Sequence, residues 1–129
     1  MDLTEAPVIR VVDDDPSVRR AFTSLLRGHG FRVETYASAE QLLKAARAVR
    51  PLCAVLVLDI DLGTICGFDL YERLVSLGMA VPTIFMTGRD DARVRDRASR
   101  FRDTAYLVKP IEDTVLITAI AKALLSRTA

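Results

Sequence analysis

Soft metal-binding chemistry is scarce in this 129-residue sequence, which has two cysteines and one histidine. Cys53 and Cys66 fit neither a CxxC pair nor zinc-ligand spacing. A domain of this size needs no bridge, so both are expected as reduced thiols. No apolar run approaches the ~18 residues that a membrane span requires. The opening stretch, Met1-Asp2-Leu3-Thr4-Glu5, is acidic where a signal peptide would be basic, so the sequence reads as cytosolic. An excess of one charge is missing too. Lys and Arg number 18 against 17 Asp and Glu, a net charge of +1, which provides no bulk field for nucleic acid or anionic lipid. No direct nucleic-acid or membrane binding is expected, and contact with DNA would need another chain or domain. Repeats and low-complexity linkers are absent. The length is that of a single domain over residues 1–129, with an ordered core expected from about 7 to about 126.

What is present is an alternation of apolar runs and helical spacings. Residues 7–12 form a short Val/Ile-rich run closed by Asp13-Asp14-Asp15, which predicts a buried strand ending in an acidic loop. Pro16 suits the first position of a helix that Asp15 can cap, with Val18, Phe22, Leu25 and Leu26 on one face and Gly28 and Gly30 at its end. His29, between those glycines, reads as a surface cap. Residues 31–36 alternate as a half-exposed edge strand, and Ser38 with Gln41 fits a capping box before a second helix. Residues 54–58 are wholly apolar and stop at Asp59, the pattern of a central parallel strand covered on both faces. A third helix follows up to Gly78, then a strand ending at Thr87-Gly88. Residues 89–103 are mostly Arg and Asp, with only Val94, Ala98 and Phe101 as an apolar stripe. The fourth helix should therefore be short, weakly anchored and solvated. A fifth strand, residues 104–108, precedes Lys109-Pro110, and Leu116, Ile117, Ile120, Ala121 and Leu124 mark a last helix.

Such alternation predicts an α/β fold, a doubly wound parallel sheet with right-handed crossovers and helices on both faces. Ligands in these sheets bind beyond the carboxyl ends of the strands. There the sequence places Asp13 and Asp14, Asp59, Thr87 and Lys109. Clustered carboxylates either hold protons or recruit a hard cation, and Mg²⁺ suits a site that takes up a phosphoryl group. Asp59 would be the nucleophile and form an acyl phosphate. The Lys109 ammonium would neutralise the transferring oxygens, and Thr87 could donate its hydroxyl to one of them. Taken singly, the acid run is a loop with a cap, and Lys-Pro a turn. Asp59 says more, because an acid ending a strand of Ala, Val and Leu must avoid a burial cost. The tips of Asp13, Asp14, Asp59 and Lys109 are expected to meet in one pocket, with Asp59 open to solvent.

On these residues the sequence resembles the receiver domain of two-component response regulators, the chemotaxis-type module, over nearly its whole length. The resemblance implies a flavodoxin-like (βα)₅ sandwich with strand order 2-1-3-4-5. It further implies that Asp14 and Asp59 ligate Mg²⁺ directly, Asp13 through water, and Asp61 through its backbone carbonyl. The Asp61 and Arg89 side chains would tune the phosphoryl lifetime. Thr87 and Tyr106 would form the switch, acting on a surface of the fourth helix, fifth strand and fifth helix. The implied phosphodonor is a sensor histidine kinase or a phosphotransfer protein. The implied role is a signalling phosphoacceptor, not an enzyme, although it assists its own phosphorylation and dephosphorylation. The sequence leaves open the output target, phosphorylation-dependent dimerisation, and whether the regulator stands alone or continues past Ala129 into an output domain. Gly63 stands where that family often has proline, which would loosen the loop over the site. Arg102-Asp103 stands where Gly-Ala is usual, and there the structure should deviate most.

Two other readings compete. The strand into Asp59-Ile60-Asp61 also looks like the first motif of haloacid-dehalogenase-type phosphatases, but Asp13 and Asp14 precede that strand and the chain lacks length for a cap. A phosphorylation-independent interaction module of receiver shape would have lost the acceptor, the acid pair or the lysine, and all are here.

Overall fold

The structure, a computed structural model, describes residues 6–47 and 53–128, with side chains to residue 126. The acidic start at Met1-Asp2-Leu3-Thr4-Glu5 lies outside the described residues. Ten elements alternate: β1 (Val8–Val12), α1 (Pro16–Gly28), β2 (Arg32–Tyr36), α2 (Ala39–Ala46), β3 (Val55–Asp59), α3 (Gly67–Ser76), β4 (Thr83–Thr87), α4 (Ala92–Ala98), β5 (Thr104–Val108) and α5 (Asp113–Thr128). The five strands form a single sheet in the order β2-β1-β3-β4-β5, and every pairing is parallel. Both the alternation and the expected order are met.

The period of two in a strand divides the core. On one face Ile9, Val11, Val55, Val57, Ile84 and Met86 meet Leu26 of α1 and Leu116 and Ile120 of α5. On the other, Val12, Leu56, Leu58 and Phe85 meet Leu42 of α2, Phe68 and Leu74 of α3 and Ala98 of α4. All of β3 is buried because it lies mid-sheet with helices on both sides, which is why its sequence is apolar without a break. Among the described residues no helix is long and apolar enough to cross a membrane.

Local signals set the helix starts. Asp15 caps α1 by accepting from the Ser17 amide at 2.8 Å, with Pro16 in the first turn. Ser38 accepts from the Gln41 amide, while the Gln41 side chain accepts from the Ala37 amide, one residue earlier than the usual capping box. His29 closes α1, its Nδ1 3.0 Å from the Leu25 carbonyl.

Arg102-Asp103 follows the end of α4. The helix stops at Ala98, and the chain turns into β5 through Asp103, which takes φ 56° in the left-handed region without being glycine. A short polar side chain tolerates that conformation better than most. The anchoring of α4 is stronger than its apolar content predicts. Phe101, just past the helix, stacks on Phe68 at 5.7 Å and meets Tyr71 edge-on at 5.1 Å. The Tyr71 hydroxyl donates to the Arg102 carbonyl. Arg97 donates from Nη2 to both Asp69 (2.6 Å) and Glu72 (2.8 Å) of α3 and lies over the Phe68 ring. The sequence reading missed this clamp because its acids lie about 25 residues upstream, in another helix.

Candidate functional site

Three strands deliver the site. β1 runs into Asp13 and Asp14, β3 ends on Asp59, and β5 is followed by Lys109, which joins Pro110 through a cis peptide bond. β1 and β3 are neighbours, so their acid ends are adjacent. One carboxylate oxygen from each of Asp13, Asp14 and Asp59 lies within 4.8 Å of the others. Into this cluster reaches the Lys109 ammonium, 2.6 Å from Asp13 Oδ2 and 3.2 Å from Asp59 Oδ2. The four side chains that the sequence expects to converge do converge.

Asp13 is fully buried and fully engaged. Its Oδ1 accepts from the Asp15 amide, its Oδ2 from Lys109, and its carbonyl from Arg19 Nη1 at 2.8 Å. Asp14 is exposed at the rim. Asp59 departs from expectation, for it is only 4 % exposed rather than open to solvent. The physical reason is the cover above it: Lys109 takes Oδ2, and the Asp61 amide donates to Oδ1 at 3.0 Å. Asp59 thus forms the floor of the pocket, with Asp14 at its open side.

Electrostatics follow from that burial. Desolvation pushes the Asp59 carboxyl above the ordinary range, helped by the Asp13 charge and opposed by the Asp61 amide and Lys109. Burial pulls the Lys109 ammonium down, but bonds and attraction to Asp13 and Asp59 outweigh it, and the net direction is upward. The lysine stays charged between two acids that repel each other. Three hard oxygen donors around one point fit Mg²⁺, which accepts a few carboxylates and keeps waters.

The remaining candidates surround this centre. Thr87 ends β4 and is buried, but its hydroxyl does not bond Asp59. It donates to the Arg89 carbonyl at 3.0 Å and accepts from the Arg89 amide at 2.9 Å. Asp61 and Arg89 face each other across the mouth at 3.5 Å, an exposed pair of small energetic weight. Tyr106 is half-buried, and its hydroxyl donates to Asp90 Oδ1 at 3.0 Å. Desolvation and that bond push the Tyr106 phenol up to about 12.

Two contributors escaped the sequence reading. Gly67 opens α3 directly against Asp59: a Cβ there would lie 2.5 Å from the Asp59 carbonyl oxygen and 2.9 Å from Ile60 Cα. Its position at the foot of a helix was the only available signal. Asp90 was lost among the many acids of its segment, because nothing in sequence marks which one faces Tyr106.

Comparison with known proteins places these features. The family model described as "Response regulator receiver domain" matches residues 9–121. The response regulator protein TodT of Pseudomonas putida is 34 % identical over 119 residues, covering 92 % of this chain and 52 % of TodT. The transcriptional regulatory protein FixJ of Rhizobium meliloti is 35 % identical over 115 residues, covering 89 % of this chain and 55 % of FixJ. The chain therefore spans about half the length of these relatives. Among solved structures, the response regulator StyR superposes with a TM-score of 0.79 at 32 % identity, covering 95 % of this chain and 61 % of that one. The Vibrio cholerae chemotaxis protein CheY4 gives a TM-score of 0.83 at 22 % identity, with 92 % and 99 % covered, and shares the fold.

Proposed function

Because the chain belongs to the response regulator receiver domain family, we propose that Asp59 accepts a phosphoryl group from a sensor histidine kinase or a phosphotransfer protein. A carboxylate oxygen of Asp59 attacks phosphorus, the bond from phosphorus to the donor imidazole breaks, and the imidazole leaves carrying its electron pair. The observation that carries this reading is the Lys109 ammonium held between Asp13 and Asp59. It places a fixed positive charge where the transferred oxygens gather negative charge.

The residues that would hold Mg²⁺ are Asp14 and Asp59 directly, Asp13 through water, and the backbone carbonyl of Asp61. Bound there, Mg²⁺ would neutralise charge on the phosphoryl oxygens. That Asp13 acts through water agrees with its two carboxylate oxygens, which already accept from Asp15 and Lys109. Thr87 gives up its bonds to Arg89 and turns its hydroxyl to the phosphoryl group. Tyr106 then turns inward, changing the surface of α4, β5 and α5. Asp61 and Arg89, paired at the mouth, control how readily water reaches the acyl phosphate.

On this reading residues 1–129 act as one receiver, a cytoplasmic signalling phosphoacceptor that assists its own phosphorylation and dephosphorylation. The downstream partner is an output domain or a separate protein, and dimerisation through α4, β5 and α5 on phosphorylation is one form the output would take. Mass spectrometry after incubation with acetyl phosphate and Mg²⁺ tests the reading. The wild type should gain one phosphoryl mass and Asp59→Asn none. An unmodified wild type would overturn it, and turnover of free phosphomonoesters would point instead to a phosphatase.

A further inference from the structure

The connection between β4 and α4 is fastened on two sides. On the pocket side, the Thr87 hydroxyl donates to the Arg89 carbonyl and accepts from the Arg89 amide, so its only proton is committed. On the outer side, Asp90 Oδ1 accepts from the Tyr106 hydroxyl at 3.0 Å and forms an ion pair with Arg95, whose Nε lies 3.2 Å away. Asp91 then caps α4 through the Val94 amide, so the helix begins directly after the fastened residues.

We propose that Asp90 is the positioning residue that ties the Thr87 hydroxyl to the Tyr106 ring, holding the phenol at the surface until Thr87 lets go of Arg89. The inference rests on the receiver reading and adds to it a named physical link. For Thr87 to donate to any new oxygen, it must give up its bond to the Arg89 carbonyl. That carbonyl belongs to the peptide unit joining Arg89 to Asp90, so a turn of this unit away from Thr87 displaces the Asp90 carboxylate. Tyr106 then loses its acceptor, and its ring, which already packs against the margin of the α2, α3 and α4 core, turns further in. Arg95, one turn into α4, shares the same carboxylate oxygen, so the release also frees a contact between the connection and the helix.

The test follows the Tyr106 ring by NMR in tyrosine-labelled protein, assigned through Tyr106→Phe, before and after acetyl phosphate with Mg²⁺. In Asp90→Ala the ring signal should move toward the phosphorylated position with no phosphate added. Phosphorylation should speed up about fivefold, the effect of losing one hydrogen bond to an exposed charged acceptor. Asp90→Asn keeps an acceptor for the phenol but loses the charge that holds Arg95, and should fall in between. Arg95→Gln should shift the ring in the same direction by less. A ring signal in Asp90→Ala that stays at the unphosphorylated wild-type position, with an unchanged rate, overturns the proposal. If the wild type gains no phosphoryl mass, the receiver reading fails, while a Tyr106 ring in Asp90→Ala that gains contacts with the core side chains still shows that Asp90 holds the phenol at the surface.

Discussion

Gly67 stands so close to Asp59 that a methyl group on its α-carbon would lie 2.5 Å from the Asp59 carbonyl oxygen. The Gly67 amide also donates to the Ile60 carbonyl at 2.8 Å, so the first turn of α3 rests on the backbone that carries Asp59. Gly67→Ala must therefore displace that backbone. The expected cost is about 1–3 kcal/mol of stability, the usual price of overpacking. Denaturant melts should show it, together with loss of phosphorylation from acetyl phosphate. A variant with wild-type stability and rate would contradict the close approach.

Removing the charge of Asp59 should act in the opposite direction. Its folded pKa is raised, by burial first and then by Asp13. A group with a raised folded pKa contributes stability that is fully present below its unfolded value and is lost as pH rises through the folded one. Asp59→Asn abolishes that loss. Without metal, the variant should melt higher than the wild type by roughly 2–6 °C near neutrality, and the gap should narrow toward pH 4. A gap of the same size at both pH values would refute this.

Lys109 carries the converse charge. Lys109→Met leaves Asp13 buried with an uncompensated carboxylate. A loss of about 2 kcal/mol is expected, less than for a fully enclosed pair because the ammonium retains some contact with solvent. The double variant Lys109→Met with Asp59→Asn should recover part of it. Additivity of the two changes would show that the charges do not interact.

Arg10 offers a less intuitive case. Its side chain is buried in β1, paired with Glu34 at 3.0 Å and near the Tyr36 ring, yet its Nε and Nη1 are buried without a hydrogen-bond partner. Two unsatisfied donors offset much of what the ion pair contributes. Arg10→Met, which keeps most of the volume, should leave stability within about 1 kcal/mol of the wild type or above it. A loss of several kcal/mol on thermal unfolding would mean that the guanidinium is fully compensated.

The Arg97 clamp between α4 and α3 is partly exposed but shared by two carboxylates. Arg97→Met should cost about 1 kcal/mol and speed amide exchange in α4 more than in α3. Equal exchange in both helices would show that Phe101 alone anchors α4.

The strand ends were legible because each apolar run stops at a polar residue, and that punctuation located Asp13, Asp59, Thr87 and Lys109. Strand order followed from the resemblance, and the register confirms β1 beside β3. Contacts between distant segments were not legible. Nothing local to Arg97 names Asp69 and Glu72, and nothing around Arg10 shows that it lies buried mid-strand. The depth of Asp59 was misjudged because strand patterning reports which face a residue takes, whereas its cover comes from Lys109, 50 residues away. Asp103 shows the reverse. The sequence marked Arg102-Asp103 as a helix end without its usual glycine, and there Asp103 takes a left-handed φ.

All five strands are parallel, so no strand can pair with another until the chain has crossed over between them. The contact between Lys109 and Asp13 joins residues 96 apart and closes a longer loop than the contact between Lys109 and Asp59. Closing so long a loop is entropically costly and slows assembly. The acidic cluster should consequently be among the last features to form during folding, with β3 and Asp59 in place before the Lys109 ammonium reaches them.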